Sequence, residues 1–279
     1  MAEAVNQNGA STVDSAGPGH GFREDNDVRG PTGAFATGPT TGPADPPGAR
    51  LALARWLWPP RCLVCHDRGS AGLDLCGACT TALPWLGHAC SRCALPLPDP
   101  GRDCGHCLHN PPPLTETHAA CLYGAPLDRL LPRFKFHHDL AAGHLLAQLM
   151  ARSFAPLATG WTHPATLLPV PLHPRRLRQR GYDQALELAR PLARALNLPR
   201  LDNVLQRVRD TTPQSRLEAA QRQSNLKGAF SVTATAALPA HVVLVDDVMT
   251  TGATLHAAAE ALRRAGVVRV DAWVCARVP

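Results

Sequence analysis

Eight of the ten cysteines in this chain stand in four CxxC pairs, a spacing typical of metal-thiolate sites. Ten residues separate each pair from the next. Because one pair supplies two ligands, two pairs complete a tetrahedral zinc site, and the chain is expected to hold two structural zinc ions. The predicted ligands are Cys62, Cys65, Cys76, Cys79, Cys90, Cys93, Cys104 and Cys107.

The sequence alone does not determine which CxxC pairs bind the same zinc ion. Sequential pairing is the simplest arrangement, but an interleaved arrangement has the same spacing. Four nearby histidines are able to replace a thiolate, although eight thiolates already fill two sites; they are His66, His88, His106 and His109. A redox role for the pairs is disfavoured, because no βαβ pattern surrounds them.

A second chemical motif is VVLVDDVMTTGATL, at residues 242–255. An apolar run predicts a buried strand, two acids follow at its carboxyl end, and a loop of small residues leads into a helix. Such a loop exposes backbone N–H groups to a phosphate at the helix terminus, and two carboxylates accept hydrogen bonds from the hydroxyls of a ribose. The predicted contacts are Asp246, Asp247, Thr250, Thr251, Gly252, Ala253 and Thr254.

Two other stretches are suited to a charged ligand. Arg175, Arg176, Arg178 and Arg180 follow a predicted strand, where guanidinium groups are able to bind a pyrophosphate with its Mg²⁺. A solvated basic loop is the alternative. Residues 207–230 are long and polar, as expected of a mobile lid, with Arg207, Gln214, Arg222 and Asn225 as candidate contacts.

The elements that must position these groups alternate between strand and helix. Strands are predicted at residues 166–170, 204–208, 229–232, 242–246 and 269–276, and helices at residues 140–152, 181–196 and 254–265. This alternation predicts an α/β fold in which helices cover both faces of a parallel sheet. Ligands of such folds bind at the carboxyl ends of the strands.

Composition divides the chain into three parts. Residues 1–50 hold nine Gly and six Pro but no Leu or Ile, which predicts a disordered tail. Residues 51–113 are expected to form a short apolar helix at 51–58 and the zinc module, and residues 114–279 the α/β domain. Residues 51–279 carry 25 basic and 16 acidic side chains. No apolar run approaches a membrane span and the N-terminus lacks a signal-peptide pattern, which favours a cytoplasmic protein without membrane insertion.

The motif VVLVDDVMTTGAT resembles the binding signature of the type I phosphoribosyltransferases, which hold 5-phosphoribosyl-1-pyrophosphate (PRPP). The resemblance implies that Asp246 and Asp247 meet the ribose 2′ and 3′ hydroxyls and that the following loop binds the 5′-phosphate. With CLVC at Cys62, YGAPLDRLLPRFKFHHD, VPLHPRRLRQRGYDQA and TPQSRLEAAQRQSNLKGAF, the chain is similar to the ComF family from about residue 51 onward. That family is associated with competence, the uptake and handling of transforming DNA.

These observations support three hypotheses of function. The first is a PRPP-binding protein that works with single-stranded DNA and competence proteins in natural transformation. The second is a transferase that displaces pyrophosphate from PRPP, although no base-recognition element identifies its acceptor. The third is a regulator that senses PRPP without turnover. Lys135, His137 and His138, in the segment FKFHHD, are interpreted as packing or solvent groups, with phosphate contact as the lesser alternative.

Overall fold

The structure is a computed structural model that describes residues 60–70, 72–100, 102–161, 165–210, 228–233 and 238–279. The predicted tail, the predicted helix at residues 51–58 and most of the predicted lid, including Gln214, Arg222 and Asn225, lie outside the described residues. The helices are α1 (Gly77–Thr81), α2 (Gly105–His109), α3 (Leu127–Phe136), α4 (Leu140–Thr159), α5 (Pro174–Arg180), α6 (Gln184–Leu196) and α7 (Ala253–Arg264). The strands are β1 (Thr117–Leu122), β2 (Thr166–Pro169), β3 (Leu205–Arg207), β4 (Phe230–Val232), β5 (His241–Met249) and β6 (Arg269–Arg277).

A four-stranded parallel sheet in the order β1-β6-β5-β2 forms the centre of the α/β domain. The two central strands, β5 and β6, are mostly buried along their length, which agrees with their nearly continuous apolar sequences. Strands β3 and β4 form a separate antiparallel pair. The predicted fold class, a parallel sheet flanked by helices, is confirmed.

Helices cover both faces of the sheet. On one face α3, α4 and α6 pack in a core with Val243, Val245 and Trp273 of the central strands. On the other face α7 packs on Val242 and Leu244. Because successive residues of a strand point to opposite faces, each central strand supplies both cores. The carboxyl ends of the strands are therefore held rigidly from both sides.

Residues 60–70, 72–100 and 102–113 include two cysteine-bearing hairpins and pack against this domain. Cys62, Leu73 and Leu75 of the first hairpin belong to the same buried core as Phe134 and Trp273. The backbone also joins the two parts, since the Leu86 N–H donates to the Ala120 carbonyl at 3.1 Å. The first hairpin is thus part of the domain's hydrophobic core.

Three predicted boundaries were wrong. The helix predicted at residues 140–152 continues to Thr159, because Phe154 also packs in the core. The helix predicted at residues 181–196 begins only at Gln184, because Gly181 ends the preceding helix α5 in the left-handed conformation and Asp183 caps α6 by accepting from the Leu186 N–H. The strand predicted to end at Asp246 continues to Met249, because β6 pairs with β5 as far as Arg277. In the part of the chain that is described, no helix is both long and apolar enough to cross a bilayer.

Candidate functional site

The eight paired cysteines form two clusters of four. In each cluster all four sulfur atoms lie within 4.8 Å of one another, and the pairing is sequential. The Sγ atoms of Cys65 and Cys76 are 3.6 Å apart, and those of Cys93 and Cys104 are 3.7 Å apart. Four sulfurs at about 2.3 Å from one zinc ion lie roughly 3.8 Å from each other, so both clusters fit a tetrahedral Zn²⁺.

Backbone N–H groups point at sulfur atoms in both clusters. The N–H of Cys79 points at the Cys76 sulfur at 3.4 Å, and the N–H of Cys104 points at the Cys90 sulfur at 3.3 Å. Burial opposes ionisation of Cys62, but the N–H groups of Cys65, Cys76 and Val64 outweigh it and lower the pKa of Cys62 to about 6. Such donors orient thiolates and tune them for a metal. Neither cluster includes a histidine among the residues described.

The acidic pair lies near the carboxyl end of β5, within the strand. The backbone N–H of Asp247 donates to Asp246 Oδ1 at 2.8 Å, which fixes the orientation of that carboxyl group. Burial, and then the like charge of Asp247, raises the pKa of Asp246 to about 7, although Lys135 acts in the opposite direction. Asp246 therefore exchanges its proton near neutral pH.

Asp247 is buried and forms an ion pair with Lys135, contrary to the interpretation of Lys135 as a packing or solvent group. The Lys135 Nζ lies 2.8 Å from Asp247 Oδ2 and 3.1 Å from Oδ1. Lys135 comes from the last turn of α3 and is half-buried. The sequence did contain a signal that Lys135 has a special role, because Lys135 and Lys227 are the only lysines in an arginine-rich chain. Lysine at such a position supplies one compact positive charge beside a carboxylate.

The loop after β5 leads directly into the N-terminus of α7. Thr250 and Thr251 are exposed, and Gly252 enters α7 with φ of 76°, a left-handed conformation that favours glycine. A Cβ at Gly252 would also lie 2.5 Å from the Met249 Cε and 2.9 Å from the His256 Nε2. The first N–H groups of α7 follow directly, so donors and the positive end of the helix dipole are at the same place.

His256 lies against this loop from the first turn of α7. The backbone N–H of His256 donates to the Gly252 carbonyl at 2.9 Å. Burial, with a smaller contribution from His106, lowers the pKa of His256 to about 4. The ring is therefore neutral at neutral pH, and its buried Nε2 has no hydrogen-bond partner.

The four predicted pyrophosphate-binding arginines lie on α5 and not on a loop. Arg180 is the one that approaches the acidic pair: its pKa is lowered by burial, and Asp247 is the largest opposing influence. Its guanidinium lies 5.5 Å from the Phe136 ring centre. Arg175 and Arg176 instead approach Asp210, at 3.4 and 3.8 Å, and Arg178 is exposed. The structure thus brings together only part of this set.

Two further charged residues, Arg207 and Asp183, lie near the acidic pair. Arg207 is buried with its guanidinium 5.5 Å from the Phe230 ring centre, and Arg176 and Asp246 both influence its pKa, which burial lowers. Asp183 was missed by the sequence reasoning. It accepts from the Leu172 N–H at 3.0 Å as well as from α6, so it fastens the segment between β2 and α5 to the site.

Comparisons with known proteins agree with this architecture. The family model for a double zinc ribbon domain matches residues 53–108, and that for a phosphoribosyl transferase domain matches residues 183–279. Competence protein F of Haemophilus influenzae is 39% identical over 56% of this chain and 69% of its own length. DNA utilization protein YhgH of Salmonella typhi is 35% identical over 81% of this chain and 93% of its own length. This chain belongs to the ComF family.

Competence protein ComFC of Bacillus subtilis is a more distant member, 29% identical over 55% of this chain and 60% of its own length. In this ComF protein the matched phosphoribosyl transferase segment includes Asp246, Asp247 and the loop before α7. Lys135 and α5 lie N-terminal to that segment. The ComF site is therefore assembled from the matched segment and from elements that precede it along the chain.

Proposed function

We propose that this ComF protein binds PRPP with Mg²⁺ at the carboxyl edge of its parallel sheet. The observation that carries the proposal is the pair Asp246 and Asp247 standing beside an open, glycine-containing loop at the start of α7. The two carboxylates accept from the vicinal ribose hydroxyls. The loop at Thr250, Thr251, Gly252, Ala253 and Thr254 donates to the 5′-phosphate.

The pyrophosphate of PRPP lies, in this proposal, on the side of α5. Asp247 influences the pKa of Arg180, and Arg176 influences the pKa of Arg207, so both arginines supply positive charge on this side of the site. Arg175 and Arg178 lie on the same helix, and the predicted contacts Gln214, Arg222 and Asn225 belong to the part of the chain outside the described residues. Mg²⁺, when bound, neutralises pyrophosphate oxygens and organises them. Lys135 balances the charge of Asp247 before and after the ligand arrives.

The affinity for PRPP is expected to rise with pH through neutrality. Asp246 has a pKa near 7, and its ionised form accepts hydrogen bonds from hydroxyl groups more strongly than its protonated form does. Its ionised fraction grows from about one tenth at pH 6 to about nine tenths at pH 8, so the dissociation constant should fall about tenfold. Calorimetric titration of PRPP with Mg²⁺ at several pH values measures this change.

Asp246→Asn provides the control, because PRPP phosphates titrate in the same range. The variant keeps the oxygen that accepts from the Asp247 N–H but has no proton to lose. Its affinity should therefore depend less on pH than that of the unmodified protein. Identical pH profiles for the two proteins would contradict a role for the Asp246 carboxylate in binding.

We further propose that the protein acts in the cytoplasm with single-stranded DNA and competence proteins during transformation. Two observations support this: the relatives are named for competence and DNA utilization, and residues 51–279 carry nine more basic than acidic side chains. Binding to the phosphate backbone depends steeply on salt. Electrophoretic titration of a labelled single strand should give a shift at about 50 mM salt that weakens by tenfold or more at about 200 mM. No shift at low salt would remove DNA as a direct partner.

A transferase is the second candidate, favoured by the phosphoribosyl transferase match itself. Such an enzyme positions its acceptor and stabilises charge on the departing pyrophosphate. Pyrophosphate release across a panel of nucleobases and amines separates the candidates. Release with one acceptor favours the transferase, whereas PRPP binding without release favours the DNA-handling protein or a PRPP-sensing regulator.

A further inference from the structure

A cleft of about 800 Å³ separates the second zinc ribbon from helix α7. One wall consists of α2 and the chain after it, and the other consists of one face of α7. The residues that line it include His106, His109, Asn110, Ala253, His256, Ala257 and Glu260, together with three consecutive prolines at positions 111–113. Its volume is within the range of ligand pockets.

The cleft adjoins the phosphate loop but not the acidic pair. Thr251 and Ala253 line it, whereas Asp246, Asp247 and Lys135 do not. A ligand whose sugar faces the acidic pair and whose phosphate lies on the loop therefore enters the cleft only by continuing past that phosphate. The 5′-phosphate of PRPP is a monoester, so PRPP ends at the loop. A ligand with a phosphodiester at this position continues past the loop into the cleft.

The lining suits an uncharged, flat group. None of the lining residues is lysine or arginine, so the cleft offers no countercharge for a second phosphate. His106, His109 and the prolines contribute rings to the lining, and histidine is one of the side chains on which nucleic-acid bases stack. His256 has an unpartnered Nε2, while Asn110 and Glu260 present polar groups to the edge of a base.

We propose that the cleft holds the penultimate nucleoside of a single DNA strand whose 3′-terminal nucleotide occupies the PRPP site. The terminal 3′-hydroxyl donates to the acidic pair, the terminal 5′-phosphodiester lies on the loop, and the preceding base stacks in the cleft. An internal nucleotide does not fit, because its 3′ oxygen is esterified and brings another phosphate toward two carboxylates. This inference rests on the proposed function of the site, and it makes PRPP and the strand end competitors.

The test uses a 5′-fluorescein-labelled dodecamer and fluorescence anisotropy. The strand with a 3′-hydroxyl is expected to bind about tenfold more tightly than the same strand ending in a 2′,3′-dideoxynucleotide, since one hydrogen bond to a charged group is lost. A strand ending in a 3′-phosphate is expected to bind more weakly still. Unlabelled PRPP with Mg²⁺ should displace the 3′-hydroxyl strand.

Variant Ala257→Phe tests the cleft itself. A phenyl ring on the cleft face of α7 should lower affinity for the 3′-hydroxyl strand about tenfold, the order expected for losing one stacked base, without changing PRPP affinity. Ala195→Phe is the matched control, because Ala195 is exposed on α6, on the opposite face of the sheet. It should bind both ligands normally.

Three outcomes would overturn the proposal: equal affinity for the 3′-hydroxyl and dideoxy strands, no displacement by PRPP when PRPP itself binds, or equal losses in Ala257→Phe and Ala195→Phe. Calorimetric titration of PRPP without DNA tests separately whether the site binds PRPP. If PRPP does not bind at all, the proposed function fails, and the dideoxy comparison still decides whether a strand end is recognised.

Discussion

Asp246→Asn and Asp247→Asn are each expected to weaken the binding of PRPP with Mg²⁺ by ten- to a hundredfold. A hydrogen bond to a charged group is worth about 1.5–3 kcal/mol, and each variant replaces a carboxylate that accepts from a ribose hydroxyl with a neutral amide. The shape of the side chain is nearly unchanged, so packing is preserved. In Asp247→Asn the Lys135 ammonium also loses its anionic partner at 2.8 Å. Calorimetric titration at pH 8 measures both losses.

The stability of Asp246→Asn distinguishes lost binding from lost folding. The pKa of Asp246 is raised in the folded state, so its ionisation destabilises the fold; this penalty is absent below about pH 4 and complete above about pH 7. At about 1.4 kcal/mol per pKa unit, the variant should gain up to about 4 kcal/mol of unfolding free energy at pH 8 and nothing at pH 4. Urea denaturation at both pH values measures the difference.

Asp99→Asn is the matched control for both measurements. Asp99 is an exposed acid in the zinc-binding segment, so the substitution removes the same charge without touching the site. It should leave PRPP affinity and stability nearly unchanged. Full affinity in both Asp246→Asn and Asp247→Asn would refute the assigned ribose role, while a stabilised, non-binding Asp246→Asn would show that this acid is kept for function at the expense of stability.

Cys76→Ser is expected to destabilise the whole described unit and not only the first zinc ribbon. Its cluster-mate Cys62, with Leu73 and Leu75, is buried in the same core as Trp273. Because zinc binds the folded ribbon, losing the ion removes folding free energy, and we expect a loss of at least about 3–5 kcal/mol. Thermal denaturation followed by tryptophan fluorescence, with zinc content measured on the same samples, tests this.

Cys121→Ala separates a ligand from an ordinary buried cysteine. Cys121 is fully buried in the same core but belongs to neither cluster of four. This variant should keep two zinc ions per chain and lose only about 1 kcal/mol, because a single small group is removed. If Cys76→Ser lost one zinc ion yet unfolded at the same temperature as Cys121→Ala, the first ribbon would not share the domain's folding unit.

The placement of the acidic pair and of the loop before α7 could be predicted from the sequence, because these residues are contiguous along the chain. The acids, the loop and the helix start lie within fourteen residues, so covalent spacing alone brings them to one end of a strand. The same reasoning predicted the zinc ligands, since each CxxC pair forms its half-site locally. Strand β5 nevertheless runs three residues past Asp246, because its end depends on β6, a partner that periodicity does not specify.

The site residues that are far from the acidic pair in sequence could not be predicted in this way. Lys135 reaches Asp247 across 112 residues of chain, through the packing of α3 against the sheet. Arg180 approaches the acidic pair and Arg178 does not, because residues two positions apart lie on nearly opposite sides of a helix and the packing of α5 decides which side faces the site. A run of four similar arginines carries no information about which one faces a ligand.

By itself, then, the sequence determined the two groups of paired cysteines, the alternation of strands and helices, and the acidic pair with the loop that follows it, because these depend on neighbours along the chain. Only the tertiary structure decided the sequential zinc pairing, the charge partner of Asp247 and the cleft between α2 and α7. Each of these joins segments that are far apart in sequence, and their meeting depends on how whole elements pack and not on local spacing.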